Sequence, residues 1–580
     1  MMAPRQLPHL SALAGHRLFP IGASLAAMLI YLGIAWWLLP AQALWSPDEG
    51  AKLMQLQALR LEQGRLAIDI PYPGRDLDPD LQFAPVVPAA LALLQNRGGH
   101  LFFERLPLFP LLTKSFFNWL GFDGLYLLPA VAGAAAGMLT LLLLARSERR
   151  LTMWLLVAWG SPILVYSCLF WEHTLATGFG LGAAALSVWA CSARSGSRQV
   201  LLAWLCAGML LGVSVYLRLE LALFGIALLV ACGAVVRASR AGVVVAGIVL
   251  LGSLALYVPL HQALFGQSVP HNAEYLFYPF LYLARAGWRA VPDLLIGPAE
   301  EEAIQTGWLG VAWAAAAVVA LIFSFDGWRP GLARRVQWLA LAVTIVAASV
   351  FLFTPQAYRS AHGLLFTTPW AIVGVCRARE IWQRGTLRLR IVALTVVIGL
   401  IGYMVGLVGF RAASPQGGLE WGARFAMTFY PLLAILTGWE EAARPPVFAS
   451  RLMTGILVVL GMGFQVRGLQ TVRHDKLIGA QLQQALLAAP EADVVSDLWW
   501  LPLDAAPLMQ QKTFFVALTP GRIKDWIELA AAHEVHNFLM VTLNADLFGG
   551  AYSSESYSLR VMETRQVDNL MVGRFAIQPP

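Results

Sequence analysis

The chain carries a long apolar run, LFPIGASLAAMLIYLGIAWWLLP at residues 18–40, and follows it with LWSPDEG at residues 44–50. The run matches the roughly 20 residues that cross about 30 Å of hydrocarbon as a helix. Directly after it stand two carboxylates, Asp48 and Glu49, which are costly at the mouth of a membrane helix unless they face water or a polar cavity. The stretch therefore predicts a membrane-anchored fold with an acidic site at the end of its first span.

The composition extends this prediction to the rest of the chain. Hydrophobic residues make up 58% of the 580 positions and charged residues 13%, where soluble domains carry about 25% charged residues. Further apolar runs predict an all-α polytopic membrane protein with about thirteen transmembrane helices. The runs lie at 18–40, 123–145, 151–169, 174–191, 200–217, 220–236, 242–263, 307–324, 336–353, 363–377, 390–410, 424–439 and 451–468. The five cysteines fall in or beside them without CxxC spacing, which favours unpaired buried thiols over a zinc site or disulfides.

Arginines between the runs predict the orientation. The loops that carry them all fall on one side, and the positive-inside rule makes that side cytoplasmic, with the N-terminus inside and the C-terminus outside. They are Arg146, Arg149, Arg150, Arg194, Arg198, Arg237, Arg240, Arg329, Arg334, Arg335 and five arginines between 377 and 390. The net charge of +7 therefore reflects loops and not a nucleic-acid-binding stripe. The first run has no small-x-small cleavage site, which predicts that it stays as an anchor.

The external loop between the first two runs, residues 41–122, is unusually polar. It carries the two carboxylates and a further acidic stretch at 75–80. Leucines near helical spacing at 53–61, and a similar pattern at 111–120, predict amphipathic external helices on the membrane surface.

The composition changes again after the last apolar run. Residues from about 475 onward are soluble in character, with strand-like pieces at 513–518, 538–543 and 572–577 and a helix-like segment at 523–533. These pieces predict a small α/β or α+β domain on the external face. The chain is thus divided into a membrane domain, 1–470, and an external soluble domain, 471–580.

Polar side chains also gather at the predicted outer ends of the spans. They are Glu172, His173, Arg218, Glu220, Tyr358, Arg359, His362, Glu420 and Arg424. Ion pairing alone accounts for some of them under a simpler interpretation, since Arg218 and Glu220 can satisfy each other or point outward to water. Their placement on one face predicts an external cavity whose Arg, Lys and His donors suit a phosphate or pyrophosphate group held beside lipid.

The loop 41–122 and the start of the second run resemble a known family. The segments that carry the resemblance are LWSPDE at 44–49, RLPLFPL at 105–111, FNWLG at 117–121 and LPAVAG at 128–133. They are similar to the first external loop and second span of the GT-C glycosyltransferases, in the branch of the aminoarabinose transferases and protein mannosyltransferases. The predicted spans and external C-terminal domain match that architecture in outline. The family often has a Lys-Pro-Pro element where this chain has Arg105-Leu106-Pro107, so either Arg105 or Lys114 replaces the lysine at the lipid phosphate.

The resemblance implies a membrane glycosyltransferase. It would move a sugar from a polyprenyl-phosphate donor, within membrane lipid, to a lipid, glycan or protein acceptor on the external face. Asp48 is then the expected general base on the acceptor hydroxyl, while Glu49 either shares the catalytic work or caps the following helix. The expected lipid-phosphate ligands are Lys52, Arg105, Lys114, Arg218, Arg359, His362 and Arg424, and further cavity candidates are Glu172, His173, Glu220, Tyr358 and Glu420.

No cofactor is predicted with these residues. The loop 41–122 holds Asp48, Glu49, Asp76, Asp78 and Asp80, but their spacing fits no calcium or zinc loop, so a divalent metal is not indicated and the stretch 76–80 is predicted to be solvated. The main rival is a polytopic lipid or glycan transporter or flippase, a class that tends to show internal repeats, of which this sequence has none between its halves. An assembly protein is the second rival. Composition and the absence of glycosylation sequons predict a bacterial inner membrane, with a periplasmic C-terminal domain.

Overall fold

The computed structural model describes residues 18–62, 65–86, 94–143, 149–193, 197–266, 295, 307–323, 330–354, 361, 363–413, 420–439, 448–549 and 557–578. Helices dominate these ranges, as the apolar runs predict. The α-helices are Phe19–Gly33, Pro47–Ala58, Leu108–Leu120, Leu127–Leu143, Arg150–Ala158, Ile163–Ser167, His173–Ser192, Arg198–Leu217, Leu221–Val235, Arg240–Phe265, Gly307–Ile322, Pro330–Phe353, Ala371–Arg384, Leu387–Ala413, Phe429–Gly438, Phe448–Ala488, Leu501–Asp504, Pro520–Ala532 and Asp546–Gly549. A π-helical turn covers Ile34–Leu38, and 3₁₀ turns cover Pro73–Asp76, Gly121–Tyr126, Arg237–Ser239, Arg424–Ala426 and Ala506–Leu508.

Within the described ranges, eight helical segments are long and apolar enough to cross a membrane. They are Phe19–Leu38, Leu108–Leu143, His173–Ser192, Arg198–Leu217, Arg237–Phe265, Gly331–Phe353, Leu387–Met404 and Arg451–Ala488. Shorter apolar helices occupy Leu221–Val235, Leu309–Ala320 and Phe429–Gly438. A polytopic helical protein with a small C-terminal sheet is thereby confirmed, while the count of about thirteen spans stays a prediction.

Two of the predicted runs have a different structure. The run 151–169 is two short helices, because Pro162 has no backbone N–H and the preceding turn cannot continue the helix. The Trp370 indole donates to the carbonyl oxygen of Gly160 in this turn at 2.6 Å and so satisfies a freed backbone acceptor. The run 363–377 begins its helix only at Ala371 and continues to Arg384, so several arginines predicted in a loop are helical.

The helix Pro47–Ala58, called the Asp48 helix below, is enclosed by protein. Its residues are buried from Glu49 to Leu56, whereas the leucine spacing predicted a helix lying on the membrane surface. Leu61, which that spacing assigned to the same apolar face, lies in a strand and is 77% exposed. The second predicted external helix fits its expectation better, since Leu108–Leu120 exposes Leu111, Leu112 and Trp119.

Strands form two hairpins in the external loop and one sheet near the C-terminus. The hairpins pair Arg60–Glu62 with Arg65–Ala67 and Leu94–Arg97 with His100–Phe103. The five-stranded sheet has the order Thr513–Val516, Asp493–Ser496, Asn537–Thr542, Leu570–Gln578, Ser558–Val567. The first three strands in this order are parallel to one another. The strand Leu570–Gln578 is antiparallel to both of its neighbours, Asn537–Thr542 and Ser558–Val567. The 41-residue helix Phe448–Ala488 leads directly into this sheet, so the predicted domain boundary at 470 falls inside a helix.

Candidate functional site

The Asp48 helix starts with a strong set of N-terminal signals. Ser46 is the N-cap, and its hydroxyl accepts a hydrogen bond from the Glu49 amide at 3.4 Å. Pro47 occupies the first helical position, where its missing N–H is not needed. Asp48 and Glu49 fill the first turn, at the positive end of the helix dipole. These local rules place both carboxylates at the start of one helix.

The two neighbouring carboxylates have different partners. Glu49 is wholly buried, and its two oxygens accept hydrogen bonds from the amides of Trp45 at 2.6 Å and Phe170 at 2.8 Å. Asp48 is 22% exposed, and its Oδ2 accepts from Arg424 at 3.3 Å. The other Asp48 oxygen has no partner among the residues that the structure describes. This geometry favours the capping alternative for Glu49 and leaves Asp48 as the carboxylate that can receive a proton.

A buried chain of ion pairs lies next to Asp48. Lys52, one turn along the helix, contacts Glu172 at 3.3 Å, and Glu172 also contacts Arg218 at 2.9 Å. Arg218 continues to Glu220 at 2.6 Å. Lys52, Glu172 and Arg218 have side chains that are at most 6% exposed. The pair expected between Arg218 and Glu220 therefore exists, but it belongs to a larger network that reaches the Asp48 helix.

Arg424 forms the second arm of the site. It contacts Asp48 on one side and Glu420 on the other, the latter at 2.9 Å. Its guanidinium carbon also lies 5.0 Å from the ring centre of Trp171 and 4.9 Å from that of Phe425. Aromatic faces stabilise cations that have been taken out of water. Charge and aromatic contacts together fix the guanidinium against Asp48.

Trp171 lies at the centre of the site, and it is not among the residues predicted from the sequence. The Lys52 ammonium lies 4.9 Å from the centre of the Trp171 ring, which the Arg424 guanidinium also approaches. The His173 ring stacks on the Trp171 ring, with 4.9 Å between the ring centres. His173 and Trp171 are both buried. His173 was among the predicted cavity candidates, and the signal that could have found Trp171 is its position directly before Glu172 and His173, in a turn between apolar helices.

A cleft opens beside this network. It has a volume of about 10 Å³, room for about one water molecule, and is lined by Lys52, Gln55, Phe103, Arg105, Leu106, Phe109, Pro110, Glu172 and Leu217. Ligand sites for drug-sized molecules measure roughly 300–1,000 Å³, so a phosphate head group enters this cleft only when the side chains that line it move apart. The Arg105 side chain makes no hydrogen bond or ion pair within the described part of the chain, although its carbonyl accepts from Gln55 at 2.8 Å. The cleft therefore contains a guanidinium available to an anion.

Lys114 has a structural contact instead. Its ammonium donates to the carbonyl oxygens of Leu56 at 3.0 Å and Leu59 at 2.5 Å. These carbonyls belong to the last turn of the Asp48 helix, where they lack partners within the helix. Of the two alternatives for a lipid-phosphate ligand, the geometry thus favours Arg105 over Lys114.

In the acidic stretch 76–80, Asp76 and Asp80 are exposed, as predicted for a solvated loop, and only Asp78 departs from the prediction. Asp78 is buried, and its carboxylate accepts hydrogen bonds from the Tyr72 hydroxyl and from the amides of Gln82 and Phe83 at 2.7 to 3.1 Å. It therefore organises the turn. Among the described residues, no group of three or more His, Cys, Asp or Glu side chains could hold a metal ion. The predicted site residues Tyr358, Arg359 and His362 lie outside the described residues.

The cations control the ionisation of the two acids. Burial alone would raise the pKa of Asp48, but nearby cations, Lys52 and Arg424 foremost, outweigh it and lower the pKa from 3.8 to about 2. Glu172 behaves alike, since Lys52 and Arg218 overcome its burial and lower the pKa from 4.5 to about 2. Both acids are consequently carboxylates over the whole neutral and mildly acidic range.

These lowered pKa values predict when acid destabilises the protein. A depressed pKa contributes stability above the unfolded-state pKa, and the contribution is lost as pH falls toward the folded-state pKa. We expect the part of the stability that depends on Asp48 and Glu172 to hold from pH 7 to pH 5 and to disappear between about 4.5 and 2. Thermal melts of wild type and Asp48→Asn across this range measure it. A loss between pH 7 and 5 that Asp48→Asn abolishes would contradict the low pKa.

Comparison with known proteins gives structural likenesses only. No family model and no curated protein matches the chain. A similar solved structure is ArnT from Cupriavidus metallidurans bound to undecaprenyl phosphate, at 12% identity, TM-score 0.42, and coverage of 96% of this chain and 98% of that chain. Another is the apo oligosaccharyltransferase of Archaeoglobus fulgidus, at 13% identity, TM-score 0.44, and coverage of 90% and 69%. At these scores the likeness carries no argument about chemistry.

Proposed function

We propose that this chain is an integral membrane glycosyltransferase that moves a sugar from a polyprenyl-phosphate donor to an acceptor on the external face. The observation that carries the proposal is that Asp48, ionised and held by Arg424, stands one helical turn before Lys52, which lines a cleft together with the unpaired Arg105. The proposal includes a bacterial inner membrane, a cytoplasmic N-terminus and a periplasmic C-terminal domain.

In this reaction the acceptor hydroxyl attacks the anomeric carbon of the donor sugar. The bond between that carbon and the phosphate oxygen breaks, and its electron pair leaves with the phosphate. The acceptor's proton goes to the free oxygen of Asp48. A carboxylate with a pKa of about 2 is a weak base, so positioning and stabilisation of the leaving phosphate must supply much of the rate enhancement.

The cleft offers suitable contacts for the donor's phosphate. Arg105 is a planar donor that can bind two phosphate oxygens at once, and Lys52 adds a nearby positive charge. Leu106, Phe109 and Leu217 provide an apolar wall on which the first part of a lipid chain can pack. A cleft lined by both cations and hydrocarbon matches an amphiphilic phosphate better than a free sugar phosphate.

Arg105 and Lys114 give a matched pair of variants. We expect Arg105→Gln to raise the apparent KM for the lipid donor by about tenfold or more, since charge-assisted hydrogen bonds are worth roughly 1.5–3 kcal/mol. Lys114→Gln should lower the melting temperature, because it removes the contacts with Leu56 and Leu59, and should leave the donor KM nearly unchanged. Steady-state kinetics and thermal melts measure both. If the two variants changed the donor KM equally, the assignment of phosphate binding to Arg105 and of a structural contact to Lys114 would be wrong.

A transporter or flippase is the rival function. In the described residues, the charges of the site stand at helix ends, with Glu172 before His173–Ser192 and Arg218 after Arg198–Leu217. Transporter sites typically lie near the bilayer midplane at broken helices. The position of the charges favours chemistry at the membrane surface over passage through it.

Turnover of a labelled donor tests the proposal. Purified protein in lipid vesicles would receive a polyprenyl-phosphate sugar with the label in the sugar, together with candidate lipid, glycan and peptide acceptors. We expect label to move from the lipid to an acceptor, and Arg105→Gln to slow that movement. Movement of intact labelled lipid between leaflets without any transfer would support the flippase and overturn the glycosyltransferase.

A further inference from the structure

Three successive residues of the Asp48 helix face three different partners. Residues of an α-helix follow each other at 3.6 per turn, so neighbours point about 100° apart. Asp48 meets Arg424, Glu49 binds the Phe170 amide, and Gly50 faces Leu503. The first two partners belong to the membrane domain and the third to the C-terminal region. The start of the helix is therefore held from several sides.

The contact at Gly50 is unusually close. A Cβ atom placed on Gly50 would lie 1.8 Å from the carbonyl oxygen and 2.4 Å from the carbonyl carbon of Leu503. Both atoms are backbone, in the short helix Leu501–Asp504, so they cannot turn aside as a flexible side chain would. Leu503 is itself almost fully buried. Any side chain at position 50 must move the Asp48 helix or the helix Leu501–Asp504 by about 1 Å or more.

Further contacts join the same two regions. The Trp45 indole, just before the Asp48 helix, donates to Asp475 at 3.1 Å. Later in the same external loop, the carbonyl oxygen of Phe83 accepts from the Val516 amide at 2.7 Å, which ties the loop to the edge strand of the C-terminal sheet. Arg522 donates to the carbonyl oxygen of Gln82 at 2.7 Å and lies over the Phe83 ring. The C-terminal domain is thus attached to the external loop at separate points.

We propose that the C-terminal domain is a positioning element of the Asp48 site, with Gly50 as the positioning residue. The inference rests on the proposed function of Asp48. The backbone contact between Gly50 and Leu503 sets the height and rotation of the Asp48 helix, and thereby the distance from Asp48 to Arg424. Gly50 touches no substrate and acts through the helix that carries the base.

Gly50→Ala tests this role, with Gly521→Ala as a matched control. Gly521 lies in the C-terminal helix Pro520–Ala532, where an added Cβ would meet only the Thr519 hydroxyl, at 4.0 Å. A displacement of about 1 Å at a catalytic group can lower a rate about 10²-fold. We expect Gly50→Ala to lower kcat by about that factor and to raise the donor KM much less, while Gly521→Ala behaves as wild type.

Hydrogen exchange gives a second readout that needs no turnover. In the wild-type protein, the amides of Pro47–Ala58 and Leu501–Asp504 should open together, with one opening free energy. Independent exchange of the two segments would overturn the proposal, even if Gly50→Ala failed to fold. A folded Gly50→Ala protein with wild-type kcat would also overturn it. An inactive wild-type protein whose segments exchange together would instead refute the glycosyltransferase and leave the coupling standing.

Discussion

Asp48→Asn should fold normally and lose turnover by about 10²–10⁴-fold, the usual worth of proton transfer by a positioned group. Asparagine has nearly the same volume, and its amide oxygen can still accept the hydrogen bond from Arg424. The Asp48 side chain is 22% exposed, and Arg424 keeps Glu420 as a charged partner, so we expect only a modest loss of stability. What the variant lacks is an oxygen that can take the acceptor's proton. Turnover and melting temperature, measured on the same preparation, separate the two effects.

Glu49→Gln is the control for the adjacent carboxylate. The glutamine keeps one acceptor oxygen but presents an NH₂ group to one of the amides of Trp45 and Phe170. Leaving a buried donor unsatisfied costs about 1–3 kcal/mol, so we expect a loss of stability. Turnover per folded molecule should fall far less than in Asp48→Asn.

Wild-type turnover by a well-folded Asp48→Asn protein would remove Asp48 from the mechanism.

Glu172→Gln should be the most destabilising charge removal in the site. Glu172 joins Lys52 and Arg218, and all three side chains are buried. Without its negative charge, two buried cations lose their shared partner, and breaking a buried ion pair in this way costs about 3–5 kcal/mol. The contacts of Lys52 with Trp171 and of Arg218 with Glu220 offset only part of that loss. Denaturant unfolding in bicelles measures the change in the free energy of unfolding.

Glu62→Gln provides the matched control for this loss. Glu62 pairs with Arg60 in the external hairpin, but the two side chains are 58% and 43% exposed. Exposed pairs contribute about 0–1 kcal/mol, so this variant should unfold almost as the wild type does. If Glu172→Gln and Glu62→Gln changed the free energy of unfolding equally, the buried network would have no special role in stability.

The sequence predicts the helices well because hydrocarbon demands a long apolar segment whatever surrounds it. The sequence predicts the structure less well where contacts with residues far along the chain determine it. The turn before Pro162 ends a helix that the apolar run 151–169 left continuous, and the Trp370 indole that satisfies this turn comes from far along the chain. The strands Asp493–Ser496 and Ser558–Val567 were not predicted. The outer strand has a mostly exposed surface and therefore no apolar alternation to detect.

For the candidate site, the sequence likewise predicts some features and not others. Asp48 and the charges at helix ends could be found from sequence, because an ionisable residue beside an apolar run is rare and needs a reason. The roles of these residues could not be predicted from sequence, since each role depends on partners that are distant in the chain. Asp48 meets Arg424, Glu49 meets Phe170, and Lys114 caps a helix more than fifty residues away. Gly50 gives no sequence signal at all, because only the position of Leu503 makes it necessary.

A structure determined by cryo-electron microscopy with a polyprenyl phosphate bound tests the central claim most directly. The account predicts density for the phosphate in the cleft, within hydrogen-bond distance of Arg105 and near Lys52, with Asp48 beside it and the lipid chain against Leu106 and Leu217. A phosphate bound elsewhere while the cleft stays empty, with Asp48 facing open water, would contradict it.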